Sequence, residues 1–142
     1  MTSAGQAGWN PHLVLHRDGE AVARELPAQQ QIVTESWNRV VAVPYIVFMP
    51  EKVRVLMLVG CDYPHQPFTV FSDDHGATWS DPRPISPDLQ VNAAAGLGTS
   101  LTYLGQGKVA FSGGGRWFSN DYGETWQGPE PIPPAAEGGK AV

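Results

Sequence analysis

The chain contains one eight-residue pattern twice, S-x-D-x-G-x-T-W, and this repeat strongly limits what the chain can fold into. The first copy begins at Ser72 and the second begins at Ser119, which is 47 residues later, and each copy follows a phenylalanine. The same spacing relates Ile85 to Ile132, so the similarity extends beyond the pattern itself. A repeat of roughly 40–50 residues is typical of β-propellers and of other stacked arrays. The sequence therefore predicts repeated supersecondary units.

The residue types within the pattern are those of a tight polar turn. The shared positions are Ser72, Asp74, Gly76, Thr78 and Trp79 in the first copy, and Ser119, Asp121, Gly123, Thr125 and Trp126 in the second. An aspartate accepts hydrogen bonds from turn N–H groups, and a glycine supplies the positive φ of a reversal. A threonine can bond back across the turn, while a tryptophan covers apolar surface. Acid or ligand chemistry is the alternative role for the aspartates, but turn chemistry explains every position, so a structural role is predicted.

Apolar segments on both sides of these turns predict the strands. In the first unit we expect strands over residues 40–49, 53–60, 68–71 and 83–85, and in the second over residues 99–104, 108–112 and 115–118. Residues 40–49 are almost continuously apolar, which predicts an inner strand covered on both faces. Before these units, residues 12–16 and 20–26 flank an Asp-Gly pair and predict a β-hairpin. Residues 32–34 predict a further short strand, so this region resembles the remnant of another unit.

Composition excludes several classes of function. The 142 residues suit one domain, and 16 Gly and 13 Pro with only 16% charged residues favour short strands and turns. A net charge of −5 gives no basic surface for nucleic acid or an acidic membrane. Cys61 is the only cysteine, which excludes an intramolecular disulfide. Residues 1–10 do not form a signal peptide, and no apolar run is long enough to span a bilayer, so the sequence gives no localisation.

A metal site has one possible starting point in the sequence. His12 and His16 lie on one face of a predicted strand, where they would form a metal pair or serve as ordinary surface or core residues. Because no third ligand is in view, the ordinary role is expected. The sequence predicts no metal and no cofactor.

The repeated pattern resembles the Asp-box, or BNR repeat, of the sialidase (neuraminidase) superfamily, and the resemblance extends over residues 43–134. It implies an all-β fold, an incomplete β-propeller of four-stranded antiparallel blades with about two full blades and part of a third. We expect a polar segment over residues 1–10, a propeller segment over 11–132 and a flexible tail over 133–142. Within the propeller segment, the partial blade covers residues 11–38 and the two full blades cover 39–86 and 96–132. Such a chain is expected to be a fragment or to assemble with further blades or with another copy of itself.

The resemblance also directs attention to one end of the blades. The loop over residues 61–67 is nine residues longer than its counterpart in the second unit. In a propeller blade this connection shares a face with the segments 35–39 and 86–98 and the region around Arg116, while the Asp-boxes occupy the opposite face. Loops on a rigid scaffold often carry function. The ligand face is therefore expected at the end that carries the loop 61–67, and not at the end that carries the Asp-boxes.

Six residues at that end are candidates for a site. Asp62 and Glu35 are candidate acid and base residues. Arg39 and Arg116 have the planar guanidinium that suits a substrate carboxylate, and Tyr63 and His65 lie beside Asp62 as further substrate-binding candidates.

Two functions remain open from sequence. Sialidases use three arginines, a tyrosine nucleophile assisted by a glutamate, and an aspartate acid/base, and none of these can be carried over by motif. Where the superfamily has Arg-Ile-Pro, this chain has Ala42-Val43-Pro44, and Tyr122 lies inside an Asp-box. One expectation is a piece of an exo-α-sialidase-like glycoside hydrolase for sialic acid or related acidic sugars, inactive as this chain alone. The alternative is a non-catalytic module that binds glycans or protein surfaces. A carbohydrate ligand is expected, without nucleic acid or membrane partners.

Overall fold

The computed structural model describes the backbone of residues 12–17, 19–25 and 31–134, and the side chains of residues 31–134. Between Asn38 and Arg39 the chain divides into two compact units. The predicted polar segment 1–10 lies outside the described residues, as does the predicted tail beyond residue 134.

The first unit contains the predicted hairpin. Strands β1 (His12–Arg17) and β2 (Glu20–Glu25) pair in antiparallel register, with Arg17 opposite Glu20. The predicted strand over residues 32–34 is wrong, because residues 33–36 form a turn in which the Trp37 amide donates to the Thr34 carbonyl at 3.0 Å. The side chains of the two histidines in β1 are not described, so their role stays a prediction.

The second unit contains two four-stranded antiparallel sheets. The first sheet consists of β3 (Val41–Met49), β4 (Arg54–Cys61), β5 (Gln66–Ser72) and β6 (Arg83–Pro84), in that order. The second consists of β7 (Ser100–Gly105), β8 (Lys108–Ser112), β9 (Arg116–Ser119) and β10 (Gln127–Glu130), again in chain order. The predicted all-β class with four-stranded antiparallel sheets is therefore confirmed.

The two sheets pack face to face over a shared apolar core. Leu56 and Leu58 of the first sheet are fully buried together with Phe111 and Trp117 of the second. The Phe111 and Trp117 rings stack with centroids 5.9 Å apart, and Trp126 meets Phe111 edge-on at 5.1 Å. Because side chains alternate along a strand, only one face of each sheet contributes to this core.

The expectation that both faces of the first long strand are covered is wrong. In β3, Val47 and Met49 pack into the core, whereas Ile46 is 60% exposed and Phe48 is 47% exposed. Ile46 and Phe48 lie on the face of the first sheet turned away from the second, and they are exposed because β3 is the edge strand, whereas Met57 and Val70 of the next two strands are buried on that same face.

A short helix, α1 (Leu89–Ala95), lies inside the segment 86–98 that sequence reasoning assigned to a loop. The Asp88 carboxylate caps it by accepting from the Gln90 and Val91 amides at 3.0 and 3.3 Å. Gly96 ends the helix with φ near +65°. Val91 packs against the core shared by the sheets, so burial of this helix face stabilises a segment too short to be stable alone.

Candidate functional site

Three connections meet at one end of the two sheets, which we call the connection end: the β4–β5 loop (62–65), the segment 85–99 with α1, and the β8–β9 loop (113–115). Their contact is close, since a methyl group on Gly60 would come within 2.5 Å of Leu97. A methyl group on Gly114 would come within 2.6 Å of the Ala94 carbonyl of α1. The sequence-predicted ligand loops 61–67 and 86–98 thus meet at one end.

Arg39 and Asp62 bind each other at this end. The Arg39 Nη1 lies 2.5 Å from Asp62 Oδ2, and the guanidinium also lies over the Phe68 ring at 4.6 Å. Asp62 adopts a left-handed conformation with φ near +64°, and its amide donates to the Val40 carbonyl at 2.8 Å. The predicted carboxylate-binding arginine is therefore already paired with the predicted catalytic acid. This arrangement places the positive charge of Arg39 directly against the negative charge of Asp62.

Tyr63 and His65 form the aromatic part of the connection end. Their rings meet edge-on with centroids 5.9 Å apart, and the Tyr63 residue is 89% exposed. The Nδ1 atom of His65 is buried and has no hydrogen-bond partner among the described residues. An exposed tyrosine beside a charged pair offers both an apolar ring face and a polar edge to a ligand.

Cys61 precedes this loop but is no nucleophile at neutral pH. The residue is fully buried, and burial raises the pKa of its thiol to about 11, despite the opposing charge of Arg39. A thiol that remains protonated is a poor nucleophile.

The other two predicted site residues differ in what the structure says of them. Glu35 lies in the turn 33–36 of the first unit, and its joint role with Asp62 of the second unit stays a prediction. Arg116 begins β9, as the sequence suggested, but its side chain lines the outer face of the second sheet beside Phe118. Its ion-pair partner within the described residues is Glu130, at 3.8 Å. Arg39 and Arg116 therefore face different carboxylates and form no shared arginine cluster.

The first repeated turn, residues 72–79, is closed by hydrogen bonds to one carboxylate. The Ser72 hydroxyl and the Thr78 amide each donate to Asp74 Oδ1 at 2.8 Å, and the Thr78 hydroxyl donates to Oδ2. The Gly76 amide donates to the Ser72 hydroxyl at 2.8 Å. Hydrogen bonds from the Thr78 hydroxyl, the Thr78 amide and the Ser72 hydroxyl lower the pKa of Asp74 to about 2.

The second repeated turn, residues 119–126, contains the same bonds to its aspartate and serine, but it lacks the bond from the tryptophan. The Trp79 indole N–H donates to the Gly76 carbonyl at 3.1 Å, whereas the buried Trp126 Nε1 has no partner among the described residues. Both the Ser119 hydroxyl and the Thr125 amide lie 2.8 Å from Asp121 Oδ1, and the Gly123 amide donates to the Ser119 hydroxyl at 2.9 Å. Burial raises the pKa of Asp121, but bonds from Thr125 and Ser119 outweigh it, so the net pKa is lowered. The carboxylates in both turns bind their own backbone, as the turn chemistry predicted.

Sequence reasoning missed Arg54, which connects the two turns at the end of the sheets opposite the connection end. Arg54 is only 2% exposed, and its Nε and Nη2 donate to the two oxygens of Asp73 at 2.7 and 3.0 Å. Its Nη1 lies 3.4 Å from the Tyr122 carbonyl and 3.6 Å from Glu124 of the second turn. The signal available in the sequence was a single charged residue at the start of an otherwise apolar strand.

No grouping of three or more potential metal ligands occurs among the residues described above. Within the same residues, no helix is long and apolar enough to cross a membrane. Comparison with known proteins adds no assignment, since no family model, curated protein or solved structure matches this chain.

Proposed function

We propose that the two sheets are consecutive blades of a sialidase-type β-propeller. The two repeated turns support this, because they share the bonds to their aspartate and each joins the third strand of its sheet to the fourth. The first strands, β3 and β7, contact each other, as the innermost strands of neighbouring blades do. Face-to-face packing of the sheets is the corresponding arrangement of neighbouring blades.

Within this fold, we propose that the chain binds carbohydrate at the connection end and does not hydrolyse it. The observation that carries the proposal is the ion pair between Arg39, which was predicted to bind a substrate carboxylate, and Asp62, which was predicted to act as the acid. Each of these two groups already has the other as its partner. A glycosidase acid must be free to protonate the leaving-group oxygen, whereas Asp62 is held by Arg39, with its Oδ2 2.5 Å from the Arg39 Nη1.

The proposed ligand contacts combine a ring face with a polar pair. Tyr63 presents its exposed ring for packing against the apolar face of a sugar. Asp62 starts the same loop as Tyr63, and Arg39, which precedes β3, reaches it there, so that the guanidinium donates to sugar hydroxyls and the carboxylate accepts from them. A shallow site of this kind is expected to bind with a dissociation constant on the order of a millimolar.

An NMR titration with free sialic acid, together with a fluorogenic sialoside assay, tests this function. We expect amide shifts at Asp62, Tyr63 and His65, no turnover, loss of binding in Tyr63→Ala and retained binding in Tyr63→Phe. Phe48→Ala is the matched control, because Phe48 is also an exposed aromatic residue but lies on β3. Turnover that Asp62→Asn abolishes would make this loop catalytic. Shifts confined to the repeated turns would move the ligand to the opposite end.

A second candidate function is assembly with a further blade or with another copy of the chain. It is favoured by four exposed apolar residues in and beside β3, namely Val40, Val43, Ile46 and Phe48. Analytical ultracentrifugation over a range of concentrations tests it. We expect association that Ile46→Glu abolishes, while a concentration-independent monomer would remove this candidate.

A further inference from the structure

The outer face of the second sheet, turned away from the first, contains a groove of about 310 Å³. We call it the outer groove. Pairing between strands aligns its main residues in two rows, Ser100–Ser112–Arg116 and Thr102–Ala110–Phe118. One row therefore places two hydroxyl groups and a guanidinium side by side, and the other places a small residue beside an aromatic ring.

The equivalent rows of the first sheet have a different chemistry. Aligning the sheets through Phe71 and Phe118, which are one repeat apart, gives the corresponding rows Tyr45–Leu58–Thr69 and Val47–Leu56–Phe71. In the first sheet this face is largely apolar and packs against the second sheet. In one row of the second sheet, Ser100 stands in place of Tyr45 and Ser112 in place of Leu58. Arg116 stands in place of Thr69. The outer groove is therefore poorly suited to pack against another apolar sheet and better suited to a polar ligand.

Arg116 has hydrogen-bonding capacity that the described residues leave unused. Its Nε is buried and has no acceptor among them, and its Nη2 lies 3.8 Å from Glu130, beyond hydrogen-bond distance. The guanidinium lies over the Phe118 ring at 5.7 Å, a contact that helps to orient it. A buried N–H donor without an acceptor is unfavourable, and a carboxylate oxygen would satisfy it.

We propose that the outer groove binds a carboxylic acid of monosaccharide size, with its carboxylate on Arg116. A single guanidinium matches a ligand of one negative charge, whereas a dianion would find no second cation among the described residues that line the groove and would lie near Glu130. The hydroxyls of Thr102 and Ser112 serve the polar groups of the ligand, and Phe118 provides an apolar wall. The groove volume lies at the lower end of the range for small-molecule pockets. This site is separate from the connection end.

An NMR titration with D-glucuronate and D-glucose tests the proposal, because the two sugars differ by the carboxylate. We expect glucuronate to shift the amides of Ser100, Thr102, Ser112 and Arg116, with a dissociation constant on the order of a millimolar, and glucose to shift none of them. Arg116→Gln is expected to weaken binding about tenfold or more. Arg83→Gln is the matched control, since Arg83 lies over Phe71 as Arg116 lies over Phe118, and it should leave binding unchanged.

Two further variants test the groove without removing the guanidinium. Glu130→Gln removes the competing carboxylate and is expected to tighten glucuronate binding about threefold. Ser112→Leu introduces the side chain of the equivalent Leu58 and is expected to block binding while thermal melting shows an intact fold. Equal binding of glucose, unchanged binding in Arg116→Gln, or shifts confined to residues 62–65 would overturn the proposal.

Discussion

The two repeated turns share the hydrogen bonds of their aspartate and serine side chains but have different surroundings. In the turn 119–126, a methyl group on Gly123 would come within 2.7 Å of the buried Leu56, and Trp126 packs against Phe111 in the core. In the turn 72–79, the nearest atom to such a methyl group on Gly76 is 3.8 Å away. The turn geometry is therefore a local property of the sequence, while its contribution to packing depends on which sheet lies next to it.

Arg54 adds a second difference between the turns. At the first turn, the guanidinium group of Arg54 binds Asp73, and the side chain of Arg54 is buried. The pairing of Val55 with Ser72 and of Val109 with Ser119 makes Lys108 the counterpart of Arg54. Lys108 is exposed, and the counterpart of Asp73 is Asn120. Only the first sheet therefore contributes the buried arginine that contacts both turns.

The largest expected effect comes from adding a methyl group to the two turn glycines. Both glycines have positive φ, near +84° for Gly123 and +87° for Gly76, so alanine is strained at either position. Only Gly123→Ala also collides with Leu56, and we expect it to lose about 2–5 kcal/mol, against about 1–2 kcal/mol for Gly76→Ala. Urea denaturation followed by tryptophan fluorescence measures both losses. Equal losses would mean that the second turn is not more tightly packed.

Removing the arginine that joins the turns has the next largest expected effect. Arg54→Ala leaves Asp73 without its partner and removes contacts to Tyr122 and Glu124, so we expect a loss of about 2–4 kcal/mol. Lys108→Ala, at the equivalent exposed position, should stay within about 0.5 kcal/mol of the wild type. Chemical denaturation of both variants decides this. A wild-type stability for Arg54→Ala would show that the contacts of Arg54 with the two turns make no net contribution to the free energy of unfolding.

The turn aspartates are expected to affect stability less, and to affect ligand binding not at all. Asp121→Ala should lose about 1 kcal/mol, because the hydrogen bonds lost are partly replaced by water. Asp74→Ala should lose less, since Asp74 is more exposed than Asp121. Thermal melts give the ranking. Unchanged melting combined with lost sialic acid binding would assign these carboxylates to a ligand site.

The smallest expected effect is a pH dependence. The pKa of Asp74 is about 2 in the folded chain, below its ordinary value of 3.8, so its contribution to stability is complete above about pH 4. That contribution is lost as the pH falls through the folded pKa. Asp74→Asn should therefore have a flatter melting-temperature profile than the wild type between about pH 4 and pH 2. Parallel profiles would show that other carboxyl groups cause the acid sensitivity.

The candidate site was predictable only in part. The loop 61–67 and the segment 86–98 were expected at one end of the sheets. They meet there because the order of the antiparallel strands places both connections at that end. The pairing of Arg39 with Asp62 was not foreseen, since the two residues are separated by β3 and β4. The position of Arg116 on an outer sheet face likewise depends on strand pairing, which aligns it with Ser112. The helix at residues 89–95 has a local signal in the sequence, the Asp88 cap and Gly96.

The sequence by itself determined the features that depend on short-range chemistry. The bonds of Asp74 and Asp121 to their own turns, and the order of the strands, follow from residue types within a few positions of each other. The tertiary structure decided which of the two repeated turns packs against the core, which carboxylate each arginine contacts, and which sheet face stays exposed. Those outcomes depend on contacts between strands far apart in the chain, because a side chain's partner and its desolvation are set by the surface packed against it.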